Sequence, residues 1–162
     1  MHIVWFKRDL RVADHPALAA ASQRGPVLPL YIVEPELWAQ ADSSARHWAF
    51  IAETLKSLRA DLARLGQPLV VRVGDAISVL RDMVQHHGAT ALWSHEETGN
   101  AWTYQRDLRV GAWCRDNALP WTELRQNGVH RRLRSRNGWA TTWDRFMAEP
   151  LAEASPLAPL DL

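Results

Sequence analysis

The sequence predicts an α/β fold in which one parallel sheet of five strands carries helices on both faces. Three observations support this prediction. Five short apolar runs alternate with longer amphipathic stretches, as in repeated βαβ units. Most of the runs are apolar throughout, as expected for strands covered on both faces. Capping residues lie at the ends of the amphipathic stretches, and right-handed crossovers would join such units into a doubly wound, Rossmann-like sandwich.

The apolar runs set the strand boundaries that we expect. They cover the segments 2–6, 27–33, 69–73, 90–94 and 120–124. The clearest helix follows the cap candidates Ser43 and Ser44, has apolar residues at alternating spacings of three and four, and ends at Gly66. Other helix boundaries have similar turn chemistry and are expected at the Asp14-His15-Pro16 start, the Gly74-Asp75 start with its His87-Gly88 end, and a stretch from about 100 to 117.

Composition limits the class of protein. The 162 residues suit one domain, and the formal charge of +1 gives no overall attraction to nucleic acid. Cys114 is the only cysteine, which excludes an internal disulfide and a multi-cysteine zinc site. No basic-then-apolar leader is present, and no apolar run approaches the roughly 20 residues that span a bilayer. We therefore expect a cytoplasmic protein with no membrane partner.

The composition changes near the carboxyl end. Residues 130–136 are strongly basic, residues 139–146 form a short helix candidate, and residues 150–162 are rich in Pro, Ala and Leu. The basic run has no aromatic platform beside it, so a solvated connector is a better interpretation than a nucleic-acid contact. The last segment is typical of a linker.

A candidate binding site lies where the predicted strands end. In an open α/β sheet, ligands bind at the carboxyl ends of the strands, where the strand order reverses. If the first and fourth strands are neighbours, their ends share a crevice, to which the end of the second strand and the start of the long helix contribute. The expected cofactor-binding residues are Phe6, Lys7, Arg8, Glu34, Trp38, Arg46, Phe50, His95 and Glu97. Their aromatic rings, cations and carboxylates suit a planar heteroaromatic ligand with an anionic tail.

Simpler interpretations of these residues stay open. The charges of Lys7, Arg8, Asp9 and Arg11 could form surface ion pairs that hold a turn. Trp38 and Phe50 could be packing residues, and core filling is the default for the other tryptophans of strands and helices, such as Trp48.

Several common chemistries are excluded. No G-x-G-x-x-G follows the first strand and no G-x-x-x-x-G-K-[ST] occurs, so ordinary dinucleotide binding and P-loop hydrolysis are not supported. His95-Glu96 resembles the start of a zinc helix, but Gly99 stands where the second histidine is required. No spacing supports a nucleophile with its base. We expect neither a catalytic residue nor a metal site.

The string FKRDLRVADHPAL at 6–18 closely resembles the opening of DNA photolyases and cryptochromes. The likeness continues in order along the chain, through Tyr31-Ile32-Val33-Glu34-Pro35 with Arg46, then ALWSHEET at 91–98 with Arg106-Asp107, then residues 139–146. The sequence departs from the family pattern at His15, His95 and Thr98, where asparagine, aspartate and proline are common.

The resemblance implies an amino-terminal antenna domain over 1–149, with 150–162 as the start of an interdomain linker. In many members this domain holds a light-harvesting chromophore, such as a reduced folate, a deazaflavin or FMN. Arg8, Arg46 and Glu97 match positions that contact the chromophore in some members, whereas the other candidates come from the crevice argument.

The family's repair chemistry depends on FAD in a carboxyl-terminal helical domain, which this sequence lacks. That domain is therefore the expected partner, damaged DNA is bound through the parent protein only, and the chain alone is expected to be inactive in repair. Two other function classes stay open: a free-standing nucleotide-binding domain, and a docking module without a small-molecule ligand.

Overall fold

The computed structural model describes residues 1–131, 133 and 135–161. One parallel sheet has the strand order β3-β2-β1-β4-β5, and its strands are β1 His2–Phe6, β2 Val27–Val33, β3 Val70–Val73, β4 Ala91–His95 and β5 Trp121–Leu124. The helices of the described residues are α1 Pro16–Ser22, α2 Pro35–Trp38, α3 Ala45–Leu65, α4 Ala76–His87, α5 Ala101–Asp116 and α6 Trp139–Met147. The predicted fold class is confirmed, and only the short helix α2 was not anticipated.

The sheet separates two apolar clusters because successive strand residues point to opposite faces. Ile3 and Trp5 of β1 pack with α4 and α5, whereas Val4 and Phe6 pack with α1 and α3. The prediction of strands covered on both faces holds for the central strands. At the edge strand β3, Arg72 and Val73 are exposed because only one neighbouring strand and part of a helix layer cover them.

Local capping explains where the helices begin and end. The Ser44 hydroxyl accepts a hydrogen bond from the backbone N–H of His47 at the start of α3, as the sequence predicts. At the start of α1 the cap is His15, whose Nδ1 accepts from the backbone N–H of Leu18 at 3.0 Å. Asp14, one residue earlier, instead has a positive φ of 48°.

The segment 150–161 has no regular secondary structure and packs against the domain. Leu157 is buried, and its backbone N–H donates to the carbonyl oxygen of Leu65 at 2.7 Å. The N–H of Leu160 donates to Gln67 Oε1 at 2.7 Å. Composition alone indicated a linker, but it did not indicate this packing. Leu162, like Arg132 and Arg134 of the basic run, lies outside the described residues.

Two packing expectations have different outcomes. Cys114 is buried, and burial raises the pKa of its thiol to about 11, which suits an unreactive core residue. Trp48, by contrast, is 37% exposed, so core filling is the wrong interpretation for this tryptophan. Its ring contacts that of Trp38, with ring centres 5.0 Å apart. Among the described helices, none has the length and apolar character needed to cross a membrane.

Replacing Gly66 with alanine should destabilise the domain. Gly66 has a φ of +119°, and a Cβ there would lie 2.0 Å from the carbonyl oxygen of Leu157. We expect Gly66→Ala to lower the free energy of unfolding by about 2 kcal/mol, measured by urea denaturation. Gly88→Ala is the matched control, because Gly88 also has a positive φ but a Cβ there would meet nothing within 4 Å. Equal losses in the two variants would show that the contact with Leu157 is unimportant.

Candidate functional site

A cavity of about 500 Å³ opens at the carboxyl ends of β1 and β2, beside the segment that follows β4. β1 lies between β2 and β4, so this is the point at which the strand order reverses. Crevices at such points are the usual ligand sites of open α/β sheets. The cavity size lies within the range of sites for small molecules and cofactors.

All of the predicted site residues except His95 line this cavity. They are Phe6, Lys7, Arg8, Glu34, Trp38, Arg46, Phe50 and Glu97. The predicted crevice between the first and fourth strands is present, since Arg8 Nε lies 4.0 Å from Glu97 Oε1. Hydrogen-bonded pairing of β1 with β4 brings these two residues together.

The buried side chain of Arg106, on α5, connects the acidic residues of the cavity wall. Its guanidinium donates to Glu34 Oε2 and Glu97 Oε2, and its Nε donates to Asp107 Oδ1 at 2.9 Å. A buried guanidinium requires such partners, because desolvation of an unpaired charge is costly. Arg106 therefore holds the end of β2 and the segment after β4 at a fixed separation.

Lys7 is a second buried cation, not a surface residue. Its Nζ donates to Asp107 Oδ2 at 3.2 Å and lies 3.9 Å from Glu123 Oε1. It also lies 5.0 Å from the centre of the Trp5 ring, a cation–π distance. The simpler interpretation of the opening turn as surface ion pairs is therefore wrong for Lys7, although the Arg8 side chain is 67% exposed.

Two buried polar atoms of the wall have no hydrogen-bond partner among the described residues. They are Glu34 Oε1 and Trp38 Nε1. Burial raises the pKa of Glu34 to about 7, despite the opposing effect of the Arg106 charge. Buried polar atoms without a partner are few in native proteins, so each one calls for an explanation such as a bound water.

The rim of the cavity is aromatic and basic. The side chain of Phe50 is 68% exposed, and Arg46 one turn earlier on α3 is also exposed. Trp38 is held by an edge contact with Trp48, with ring centres 5.0 Å apart. Phe50 is thus exposed at the rim, whereas Trp38 is half-buried and packs against Trp48.

His95 lies beneath the cavity in a network centred on Asp9. Asp9 Oδ2 is 2.6 Å from His95 Nδ1 and 2.9 Å from His15 Nε2, and Asp9 Oδ1 accepts from the backbone N–H of Lys7 at 2.8 Å. Burial alone would raise the pKa of Asp9, but the hydrogen bonds from the two histidines hold it well below its usual range. The network anchors the turn that carries Lys7 and Arg8.

The Asp9, His15 and His95 ligand atoms lie within 4.8 Å of one another, which raises the question of a metal site. The hydrogen bonds argue against one. Because His15 Nδ1 accepts the N–H of Leu18, its single proton in the neutral ring is assigned to Nε2, the atom that faces Asp9. A metal at Nε2 would need that position deprotonated, so the arrangement suits a hydrogen-bonded network better.

Sequence reasoning missed Arg106, Asp9 and Glu123 as parts of the site. A charged residue on an amphipathic helix is normally exposed, so the position of Arg106 gave no local signal. The Arg106-Asp107 pair was a signal only through its place in the family pattern. Asp9 follows the buried strand β1, and Glu123 lies near the end of the half-buried strand β5, so the crevice argument could have included both.

Replacing Asp9 with asparagine should destabilise the fold. The asparagine side chain has one oxygen and one NH₂ group. Its NH₂ must face either the histidine N–H groups or the backbone N–H of Lys7, so a donor would face a donor. We expect Asp9→Asn to lower the free energy of unfolding by about 3 kcal/mol at pH 7, measured by urea denaturation. The exposed Asp82→Asn change, which removes a surface pair with His86, is the control and should cost less than about 0.5 kcal/mol.

The difference in the free energy of unfolding between wild type and Asp9→Asn should depend on pH. Since the pKa of Asp9 is lowered in the folded state, its stabilisation is complete above about pH 5 and is lost as the pH falls. This difference in the free energy of unfolding should therefore decrease below about pH 4. A difference that is constant down to pH 3 would contradict an ionised Asp9 in the folded protein.

Glu34 should give the opposite pH dependence. Its folded-state pKa of about 7 exceeds the ordinary value of 4.5, so the folded protein retains a proton that the unfolded chain releases. The free energy of unfolding of the wild type, relative to Glu34→Gln, should fall by about 1 to 3 kcal/mol between pH 5 and 7. Glu53→Gln, an exposed position on α3, should show no such trend. Parallel pH profiles for wild type and Glu34→Gln would refute the raised pKa.

Comparisons with known proteins identify the family of the chain. The family model for DNA photolyase matches residues 2–153. A deoxyribodipyrimidine photo-lyase of Agrobacterium fabrum is 40% identical over 103 residues, which cover 61% of this chain and 21% of that protein. Cryptochrome-1 of Arabidopsis thaliana is 29% identical over 169 residues, covering 97% of this chain and 24% of that protein.

A solved structure shows the same fold. The crystal structure of a bacterial class III photolyase from Agrobacterium tumefaciens superposes with a TM-score of 0.75 at 26% identity, covering 99% of this chain and 35% of that one. The chain spans about a fifth to a quarter of the length of the two curated relatives. The chain corresponds to the amino-terminal α/β domain of these relatives. Because the family model covers nearly all of its residues, the chain belongs to the DNA photolyase family.

Proposed function

We propose that this chain is the light-harvesting domain of a photolyase-like flavoprotein and that the cavity at the ends of β1 and β2 holds the antenna chromophore. The observation that carries the proposal is the cavity itself, about 500 Å³, with aromatic walls and with Glu34 Oε1 and Trp38 Nε1 lacking partners among the described residues. A planar heteroaromatic ring would cover these apolar surfaces.

The charges of the cavity favour one orientation of such a ligand. The inner wall is rich in carboxylates, whereas Arg8 and Arg46 provide cations near the opening. Lys7 and Arg106 are already paired with carboxylates, so they are not free for a phosphate. An anionic tail therefore belongs at the rim, and the uncharged ring belongs inside. A reduced folate and FMN have this division between ring and anionic tail, as does a deazaflavin that carries a phosphate.

The residues of the chain would bind and orient the ring and exclude water from it. Once bound, the chromophore would absorb near-ultraviolet or blue light and transfer the excitation to another pigment. We propose that this acceptor is FAD in a carboxyl-terminal domain, which would act on pyrimidine dimers in DNA. A crystal structure of an archaeal photolyase from Sulfolobus tokodaii is described as containing two FAD molecules, with an implied novel light-harvesting cofactor.

Titration of the chain with FMN, a deazaflavin and methenyltetrahydrofolate tests the binding step. We expect one of them to saturate at one molecule per chain, with a shift in its absorption or fluorescence. Arg46→Glu should weaken binding of that compound by about tenfold, because it places a carboxylate at the anionic tail. Lys56→Glu is the control, since Lys56 is exposed on the same helix but does not line the cavity.

Other outcomes would favour the alternatives. Tight binding of ATP or a dinucleotide, with none of the three chromophores bound, would indicate a nucleotide-binding domain. If no small molecule binds, the docking-module interpretation replaces the proposal. For the transfer step, a protein that joins this chain to its FAD domain should show a chromophore band in the action spectrum of repair, and Arg46→Glu should reduce that band.

A further inference from the structure

The first turn of α1 is capped by a histidine, which is an unusual choice. At α3 and α5 the cap is the hydroxyl of Ser44 or the amide oxygen of Asn100, and neither group takes up a proton near neutral pH. At α1, His15 Nδ1 accepts from the backbone N–H of Leu18 at 3.0 Å. A ring nitrogen accepts a hydrogen bond only through its lone pair, so this cap exists only while His15 is neutral.

The second nitrogen of the same ring holds the opening turn (residues 7–14). His15 Nε2 lies 2.9 Å from Asp9 Oδ2, and Asp9 Oδ1 accepts from the backbone N–H of Lys7 at 2.8 Å. Lys7 and Arg8 of this turn line the cavity at the ends of β1 and β2. One buried ring therefore connects the start of α1 to the floor of the cavity.

The surroundings of His15 favour its neutral form. Burial is the largest effect and lowers the pKa of His15 below its ordinary value of 6.5, and the charges of Arg11 and His95 act in the same direction. Asp9 opposes them through its hydrogen bond and its charge. The Phe6 ring, 4.7 Å from the His15 ring between centres, adds an apolar neighbour from β1. The unfolded chain thus binds a proton at a higher pH than the folded one, so stability is complete above about pH 6.5 and is lost as the pH falls.

We propose that neutral His15 is a positioning residue of the cavity, and that a proton on its Nδ1 uncaps α1 and releases the opening turn. The added N–H would face the N–H of Leu18, so a donor would meet a donor. Because Asp9 shares the same ring, the opening extends to the backbone of Lys7. The inference deepens the proposed function, since it makes ligand binding in the cavity dependent on pH, but its first test needs no ligand.

Amide hydrogen exchange of the wild-type chain at pH 7.5 and pH 5.5 tests the release. Protection factors, which are corrected for the intrinsic pH dependence of exchange, report local opening. We expect protection of the Leu18 and Lys7 amides to fall by up to about tenfold, because opening is coupled to uptake of one proton below about pH 6.5. The Thr103 amide is the internal control, since it donates to the Asn100 cap at the same 3.0 Å. Equal changes at Leu18 and Thr103 would overturn the proposal.

His15→Asn identifies the group that takes up the proton. Asparagine keeps an acceptor at the cap position but does not titrate in this range, so the acid loss of protection at Leu18 should disappear. His86→Asn is the matched control, because His86 is exposed on α4 and pairs only with Asp82 among the described residues, so it should keep the wild-type loss. A loss that persists in folded His15→Asn, checked by circular dichroism, would refute the assignment to His15. The wild-type comparison of Leu18 with Thr103 decides the release even if this variant does not fold.

Ligand binding tests the consequence for the cavity. Whichever of FMN, the deazaflavin and methenyltetrahydrofolate binds at pH 7.5 is titrated again at pH 5.5. Its dissociation constant should rise by a larger factor in the wild type than in His15→Asn, and comparing the two proteins removes the ligand's own titration. Equal factors would overturn the positioning role. If none of the three compounds binds, the proposed function fails, whereas the exchange experiment still decides whether His15 controls the turn.

Discussion

The candidate site depends on the buried guanidinium of Arg106. A charge in the interior is tolerated only when hydrogen-bonded counter-charges replace its water. Arg106 meets this requirement with acidic side chains from three places: Glu34 at the end of β2, which is ionised above its pKa of about 7, Glu97 after β4, and Asp107 on its own helix. One side chain thereby connects two strand ends on opposite sides of β1, and the cavity lies between them.

The same pairing explains the electrostatic character of the cavity. Lys7 and Arg106 are the buried cations there, and they face Glu34, Glu97, Asp107 and Glu123. Acidic groups therefore exceed cations, and burial raises the pKa of both Glu34 and Glu123. The interior suits a neutral ring with N–H donors, while the cations free to meet a phosphate or carboxylate lie at the rim. The proposed orientation of the ligand follows from this separation of charge.

A second network holds the opening turn from below. Asp9 accepts from the backbone N–H of Lys7 and from His15 and His95, so the turn is fixed to the start of α1 and to the end of β4. The backbone of Lys7 is thus held by Asp9, while its side chain is held by Asp107. The two networks together position the cavity floor without a ligand, which reduces the entropy lost on binding.

Much of the fold was predictable because its signals are local. Apolar runs marked the strands, Ser44 and Gly66 bounded α3, and the ends of parallel strands share one edge of a sheet, which is enough to bring Arg8 and Glu97 to one crevice. The short helix α2 had no periodic signal in its four residues. The packing of 150–161 also had none, because composition does not show which surface an extended segment contacts.

What the sequence determined by itself was the layered sheet, its capped helices and the edge at which a ligand would bind. Only the tertiary structure decided that Arg106 is buried, that His95 lies beneath the cavity with Asp9, and that Trp48 is exposed beside Trp38. The physical reason is that periodicity and capping depend on neighbours within a few residues. The burial of a charge depends on partners such as Glu34, which lies 72 residues away from Arg106 in the chain.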